Sequence, residues 1–281
     1  MRSVSKLFYK DGTGDPLYVP TYLKDKGINT IPVISFRGNR FNTLFHNAAG
    51  TYYLRDILIQ YLTTSKCPLN YTDKIILSAL KDENIMAICR ALGIICNVII
   101  QPYWNEAVDE DRNALQMQPI YESLVQLLET AGRSINPNFL LQNSLHLLPG
   151  PVSPPHLVTQ SLFSSTSTDT VTQSLLKRFC TKLREKCSTL FKDFLPSGKY
   201  FEPTQTLIES SETCPSNNIS VERVFGKLDS ELHRTPHCSL RTFESKIIST
   251  NNSTASWLND KTAADKEIII KKSNGRKSKV Y

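Results

Sequence analysis

Across its 281 residues the chain has no uninterrupted apolar run near the roughly 18 that a bilayer-spanning helix needs, so no membrane anchorage is expected. Its best run, Ile94-Ile95-Cys96-Asn97-Val98-Ile99-Ile100, has the length of a buried segment. No apolar stretch follows Met1-Arg2-Ser3-Val4-Ser5-Lys6, which argues against a secretory signal. The seven cysteines, Cys67, Cys89, Cys96, Cys180, Cys187, Cys214 and Cys238, contain no C-x-x-C pair. An odd, scattered set of that kind implies free thiols in a reducing compartment, nuclear or cytoplasmic. The N-x-S/T sites at Asn70, Asn218, Asn251 and Asn252 then read as chance occurrences. There is no internal repeat and no alternation of strands with helices, so the fold class is mainly α.

Charge is modest but one-sided. Charged residues make up 21% of the chain, and their balance of +7 draws polyanions or acidic partners. His233 and His237 with Cys238 have the outline of a metal clamp. Pro236 interrupts the helix it would need, and no second ligand pair stands at zinc-finger spacing. Neither a metal nor another cofactor is expected.

Apolar spacing divides the chain. Residues 1–30 are polar and turn-rich, an irregular lead-in. Ile31-Pro32-Val33-Ile34-Ser35-Phe36 is β-prone, its proline placing it at an edge or in an extended lead-in. A helical domain spans 31–148. Its helices cover 52–62, then a segment after the N-capping Asn70-Tyr71-Thr72-Asp73, then 83–95 and 121–128. Gly93 weakens the end of the third, and Pro102 breaks the path ahead of an interhelix joint at Trp104. The acidic Asp109-Glu110-Asp111 reads as a solvated loop. Cys89 and Cys96, like Cys180 and Cys187, are seven apart and share a helix face as small apolar residues.

Composition shifts at 149–174. Eleven of the 22 residues from Ser153 to Ser174 are Ser or Thr, a composition that cannot offset its ordering entropy and so predicts a linker. The longest helix follows over 175–194. Leu175, Phe179, Leu183 and Cys187 hold one face, and Lys177, Arg178, Lys182 and Arg184 the other. The C-terminal block runs over 175–272, its last helix opened by the capping-box pattern Thr262-Ala263-Ala264-Asp265. A basic tail, 273–281, contains Arg276 and Lys277 just after Lys271 and Lys272.

The densest signal lies at 218–232. Val221, Val224, Phe225, Leu228 and Leu232 repeat at i, i+3, i+4, i+7 and i+11, the stripe of an amphipathic helix with one core-facing side. Glu222-Arg223 sits beside that stripe. The block Ser220-Val221-Glu222-Arg223-Val224-Phe225-Gly226 resembles the C-terminal signature of hAT-superfamily DNA transposases. Phe36-Arg37-Gly38-Asn39-Arg40-Phe41-Asn42, with Phe45-His46-Asn47-Ala48-Ala49, is similar to the segment that opens that family's all-helical insertion. Together the blocks resemble a group of transposon-derived proteins, over roughly residues 20 to 272. The resemblance implies a helical insertion domain plus the C-terminal helices of an incomplete ribonuclease-H-like fold. It also implies a dimerisation role for the 221–232 stripe.

The family's chemistry uses two divalent ions held by two Asp and one Glu. Glu222 matches the Glu, but the two Asp strands are not found before Arg37. Glu222 is therefore expected to be a relict paired with a cation at a partly buried helix end. Trp104 and Trp257, the tryptophans available for stacking on a flipped base, read as packing residues. The expectation is a catalytically incomplete, transposase-derived protein, not an enzyme, acting through self-association or another protein chain. The alternative is a nonspecific DNA binder using Arg37, Arg40, Lys177, Arg178, Lys182, Arg184, Lys271, Lys272, Arg276 and Lys277. The tail also fits a nuclear import signal or a solvated end.

Overall fold

A helix with apolar residues on every side has to be wrapped by others. In a computed structural model the described residues are 2–9, 15–36, 41–66, 68–109, 111–133, 141 and 156–277, without the side chains of 41, 220 and 273–277. They are mainly helical, and no strand occurs among them. Two compact units divide the chain, 1–216 and 217–281.

In the first unit, α1 (Arg2–Phe8), α2 (Tyr18–Asp25), α3 (Phe41–Tyr53), α4 (Arg55–Gln60) and α5 (Tyr71–Lys81) precede α6 (Glu83–Ile95). After it come α7 (Gln101–Ala107), α8 (Gln118–Arg133), α9 (Leu157–Phe163), α10 (Asp169–Leu190) and α11 (Gln205–Ser210). Helix α6 is the wrapped one, packed by α3, α5, α9 and α10. Its Met86 and Cys89 join a core with α1, α2, α4 and α5, while Ala91, Ile94 and Ile95 join a second with α3, α8, α9 and α10. Gly93 lets these helices close up: a Cβ there would stand 2.7 Å from Leu162 Cδ2 and 3.0 Å from the Ala49 Cα.

Several boundaries are legible in caps. Asn70 and Asp73 form a reciprocal capping box at α5, and Asp82 caps α6 through the amides of Asn84 and Ile85. Pro102 does not break the path. Helix runs from Glu83 to Ala107, because a π turn over Cys96–Ile100 precedes the proline and the Gln101 amide bonds back to the Cys96 carbonyl. Trp104 therefore lies on α7, 41% exposed. This stretch is long and apolar enough to cross a membrane by composition, yet 61% of its apolar window is buried inside the protein, as a core helix is.

The lead-in at 1–30 is not irregular where it is described. Val4, Leu7 and Phe8 of α1 and Val19 and Leu23 of α2 are buried. Helices this short show no long stripe and depend on tertiary packing. The β-prone run forms no strand. Asn47, fully buried on α3, takes the place of a partner strand: its Oδ1 accepts the Ile34 amide at 2.8 Å and its Nδ2 donates to the Ile34 carbonyl at 2.9 Å. Ser5 and Tyr9 donate to the carbonyls of Ile34 and Val33.

The expected linker at 149–174 is corrected over its described part, which helps form the core; 149–155 lies outside the described residues. Leu162 of α9 is fully buried, and so is Thr172 on the first turns of α10. Arg90, fully buried on α6, holds the joint between these helices. Its Nε donates to the Leu162 carbonyl at 2.7 Å and Nη2 to the Ser164 carbonyl at 2.6 Å. Nη1 reaches Thr166 Oγ1 at 2.8 Å and Asp169 Oδ1 at 2.5 Å. The hydroxyls that resembled disorder serve as local donors and acceptors around Asp169. With α10 packed on α6 and α8, the unit boundary lies after 216 and not at 149–174.

The second unit comprises α12 (Ile219–Arg234), α13 (Leu240–Asn251), α14 (Thr254–Asn259) and α15 (Ala263–Lys277). Thr262 and Asp265 bond reciprocally at the start of α15. Glu231 of α12 joins Lys246 of α13 at 3.2 Å, and Lys227 joins Asn251. Among the described residues only Phe243 and Ile247 are buried hydrophobics here.

Two glycines give opposite expectations. A Cβ on Gly50 would stand 1.8 Å from the Pro32 carbonyl oxygen, so Gly50→Ala should destabilise the first unit by about 2 kcal/mol or more in denaturant unfolding. Gly226 lies inside α12 with nothing within 4 Å of such a Cβ, so Gly226→Ala should be neutral or stabilise by up to about 1 kcal/mol. Arg90→Met leaves buried carbonyls unpartnered and should cost about 3 kcal/mol or more. Desolvation pushes the Asp169 carboxyl up, but bonds from Arg90, Ser165 and the Thr166 amide prevail and hold it below its ordinary 3.8. Its stabilising contribution is therefore present above that value and lost as pH falls through the lower folded value. Acid unfolding followed by circular dichroism should become less steep in Asp169→Asn.

Candidate functional site

A stripe at helical spacing is buried only if another element arrives to cover it. On α12 the expected core-facing stripe is instead largely open: Val221 is 53% exposed, Phe225 63% and Leu232 38%. Val224 is also exposed, and Leu228 alone of the five is half-buried. The hydrophobics buried in this unit among the described residues, Phe243 and Ile247, are on α13, and α13 leaves most of the α12 stripe uncovered. Leu240 and Ile248 of α13 add further exposed apolar area.

Glu222 is exposed on the first turn of α12, with no ion pair or side-chain hydrogen bond among the described residues. The expected pairing with Arg223 or another cation at a partly buried helix end is therefore corrected. The negative charge near the helix N-terminus has a simpler benefit, favourable alignment with the helix dipole. Among the described residues no group of three His, Cys, Asp or Glu side chains could hold a metal ion. Trp257, like Trp104, is not a packed core residue: it is 48% exposed, with the Lys261 ammonium 5.0 Å from its ring.

The cations expected to meet DNA are divided between the two units, α10 lying in the first and Lys271 and Lys272 in the second. Arg37 and Arg40 lie outside the described residues. Lys271 and Lys272 are exposed on α15, Lys271 pairing with Glu267 at 2.8 Å, and the side chains of Arg276 and Lys277 lie outside the described residues. On α10, Arg184 faces α8 and stands 3.8 Å from Glu129. Arg178 and Lys182 lie elsewhere on that helix, together with Lys186 and the apolar Leu175, Phe179 and Leu183, around an open groove of about 490 Å³. The sequence assigns these residues to opposite faces. The buried arc is narrower than expected, carried by Thr172, Leu176, Cys180 and Cys187, so Leu175, Phe179 and Leu183 lie at its margin.

A second recess, of about 460 Å³, lies between α2 and the π turn over Tyr61–Ser65. It gathers Asp15, Tyr18, Tyr22, Asp25, Tyr61 and Lys66. Tyr61 donates to Asp15 at 2.8 Å, and Lys66 pairs with Asp73 at 2.9 Å. Burial first, and then the Asp15 carboxylate, push the Tyr61 phenol up. Lys66 is taken up by Asp73, and a phenol so raised stays protonated and does not supply a base near neutral pH. Sequence reading missed this recess because Asp15 and Tyr61 are 46 residues apart.

Set against known proteins, the chain matches no protein family, no curated protein and no solved structure. The functional reading therefore rests on the α12 stripe and on the α10 groove.

The thiols give a direct check on these burial patterns. Burial pushes Cys180 up to about 12 and Cys89 and Cys96 each to about 11, and it raises Cys187 as well. Cys214 and Cys238 are exposed. Alkylation of the native chain read by mass spectrometry should modify Cys214 and Cys238 and spare those four until denaturant is added.

Proposed function

We propose that the chain works through protein association, its C-terminal unit pairing with a second copy through the α12 stripe, without a catalytic centre of its own. The observation that carries this reading is the exposure of Val221, Val224, Phe225 and Leu232 along one helix of a small unit. A unit of this size that buries two hydrophobic side chains among its described residues gains little from its own core, and small domains of that kind depend on a partner. Covering a large apolar side chain is worth about 1.5–3 kcal/mol, so the stripe offers a substantial driving force. A self-complementary helix face is also the simplest route to a twofold dimer.

The resemblance to transposon-derived proteins of the hAT type supports the same reading, since it implies dimerisation at this segment. On that view the helices are a remnant of a ribonuclease-H-like transposase in a nuclear or cytoplasmic protein. Glu222 stands where the resemblance places the family's metal-binding Glu.

Light scattering of the full chain at two concentrations tests the association. A dimer should be present, and Val221→Glu with Phe225→Glu should return it to a monomer while helical content is kept. A strict monomer at both concentrations, or a dimer indifferent to the two substitutions, contradicts the reading. The second reading, nonspecific nucleic-acid binding, is supported by the exposed Lys177, Arg178 and Lys182 of α10 and by the charge of +7. Binding to a nonspecific duplex should then weaken steeply with salt, and a flat response removes it.

A further inference from the structure

Helix α10 carries two neighbouring rows on its accessible side, each repeating every fourth residue. Leu175, Phe179 and Leu183 form an apolar row, and Arg178, Lys182 and Lys186 form a cationic one. Residues four apart stack nearly one above another along a helix, so each row is a continuous ridge and the space between them a groove. Phe179 is 38% exposed, and its ring is steadied by Phe45 of α3, perpendicular to it with centroids 6.1 Å apart. Among the described residues Lys182 pairs with the exposed Glu185 at 2.8 Å, whereas Arg178 and Lys186 have no ion pair.

We infer that this face of α10 docks an acidic amphipathic helix of another protein. Leu or Phe side chains of that helix would seat along Leu175, Phe179 and Leu183. Asp or Glu side chains beside them would meet Arg178, Lys182 and Lys186. Charge complementarity selects an acidic partner, and the four-residue period on both rows selects a helix. A nucleic-acid backbone satisfies only half of the surface. Phosphates engage the cations and leave the apolar row uncovered. Successive unpaired bases stack on successive aromatic rings, but Phe179 is flanked in its row by leucines. The site belongs to the first unit and the α12 stripe to the second, so the inference stands whether or not the chain pairs with itself.

Fluorescence anisotropy with the full chain provides the test. The probes are a designed acidic peptide with Leu and Glu at helical spacing, a scrambled peptide of the same composition, and single-stranded and duplex oligonucleotides. The designed peptide should bind about tenfold or more tighter than the scramble, and Phe179→Asp should weaken it by a similar factor. Lys182→Glu with Lys186→Glu, both at exposed positions, should abolish binding and create affinity for the same peptide with Lys in place of Glu. Equal binding of the scramble, no binding of the designed peptide, or its displacement by an oligonucleotide at lower concentration than by unlabelled peptide would each overturn the inference.

Discussion

A guanidinium shut away from water must find its hydrogen bonds inside the protein or exact a heavy desolvation cost. Arg90 has no solvent exposure and reaches two carbonyls, a hydroxyl and a carboxylate, all between the end of α9 and the first residue of α10. Its partners lie 72 to 79 residues along the chain, so this single side chain fixes how two distant stretches meet. With α9 and α10 held against α6, the cores on either side of α6 become parts of one unit. The position of α10 then determines which of its residues are covered by α6 and α8. Whatever remains uncovered, including the α10 groove, is a consequence of that placement.

Much of the fold is legible where the information is local. The helix at 83–95, the capping box at Asn70 and the Thr262 side-chain cap of α15 depend on neighbours within a few turns, and the small apolar character of Cys89, Cys96, Cys180 and Cys187 agrees with their burial. What eludes the sequence depends on distance along the chain. Composition alone makes 156–174 resemble a linker, because nothing nearby announces that Arg90 will donate to its carbonyls. Pro102 resembles a breaker because the π turn that accommodates it gives no compositional sign. Asn47 substituting for a strand is equally hidden, since an Asn inside a helix is usually solvated.

The surfaces are harder still to read. An apolar stripe states that a helix has something to bury, not that its own chain supplies the cover. On α12 the spacing is as regular as on α6, yet Phe225 is open whereas Ile94 is sealed. On α10 the width of the buried arc decides whether Phe179 and Lys182 belong to different sides or to one groove. Neither outcome follows from periodicity without the helices that do or do not pack alongside.

Association through α12 is the claim on which the functional account stands. Hydrogen exchange of the full chain at low and high protein concentration, read peptide by peptide, reaches it most directly. The account predicts that amides of 219–234 gain protection as concentration rises, while those of α6 stay unchanged because their cover is internal. Identical exchange of 219–234 at both concentrations, across a range in which no dimer forms, would contradict it.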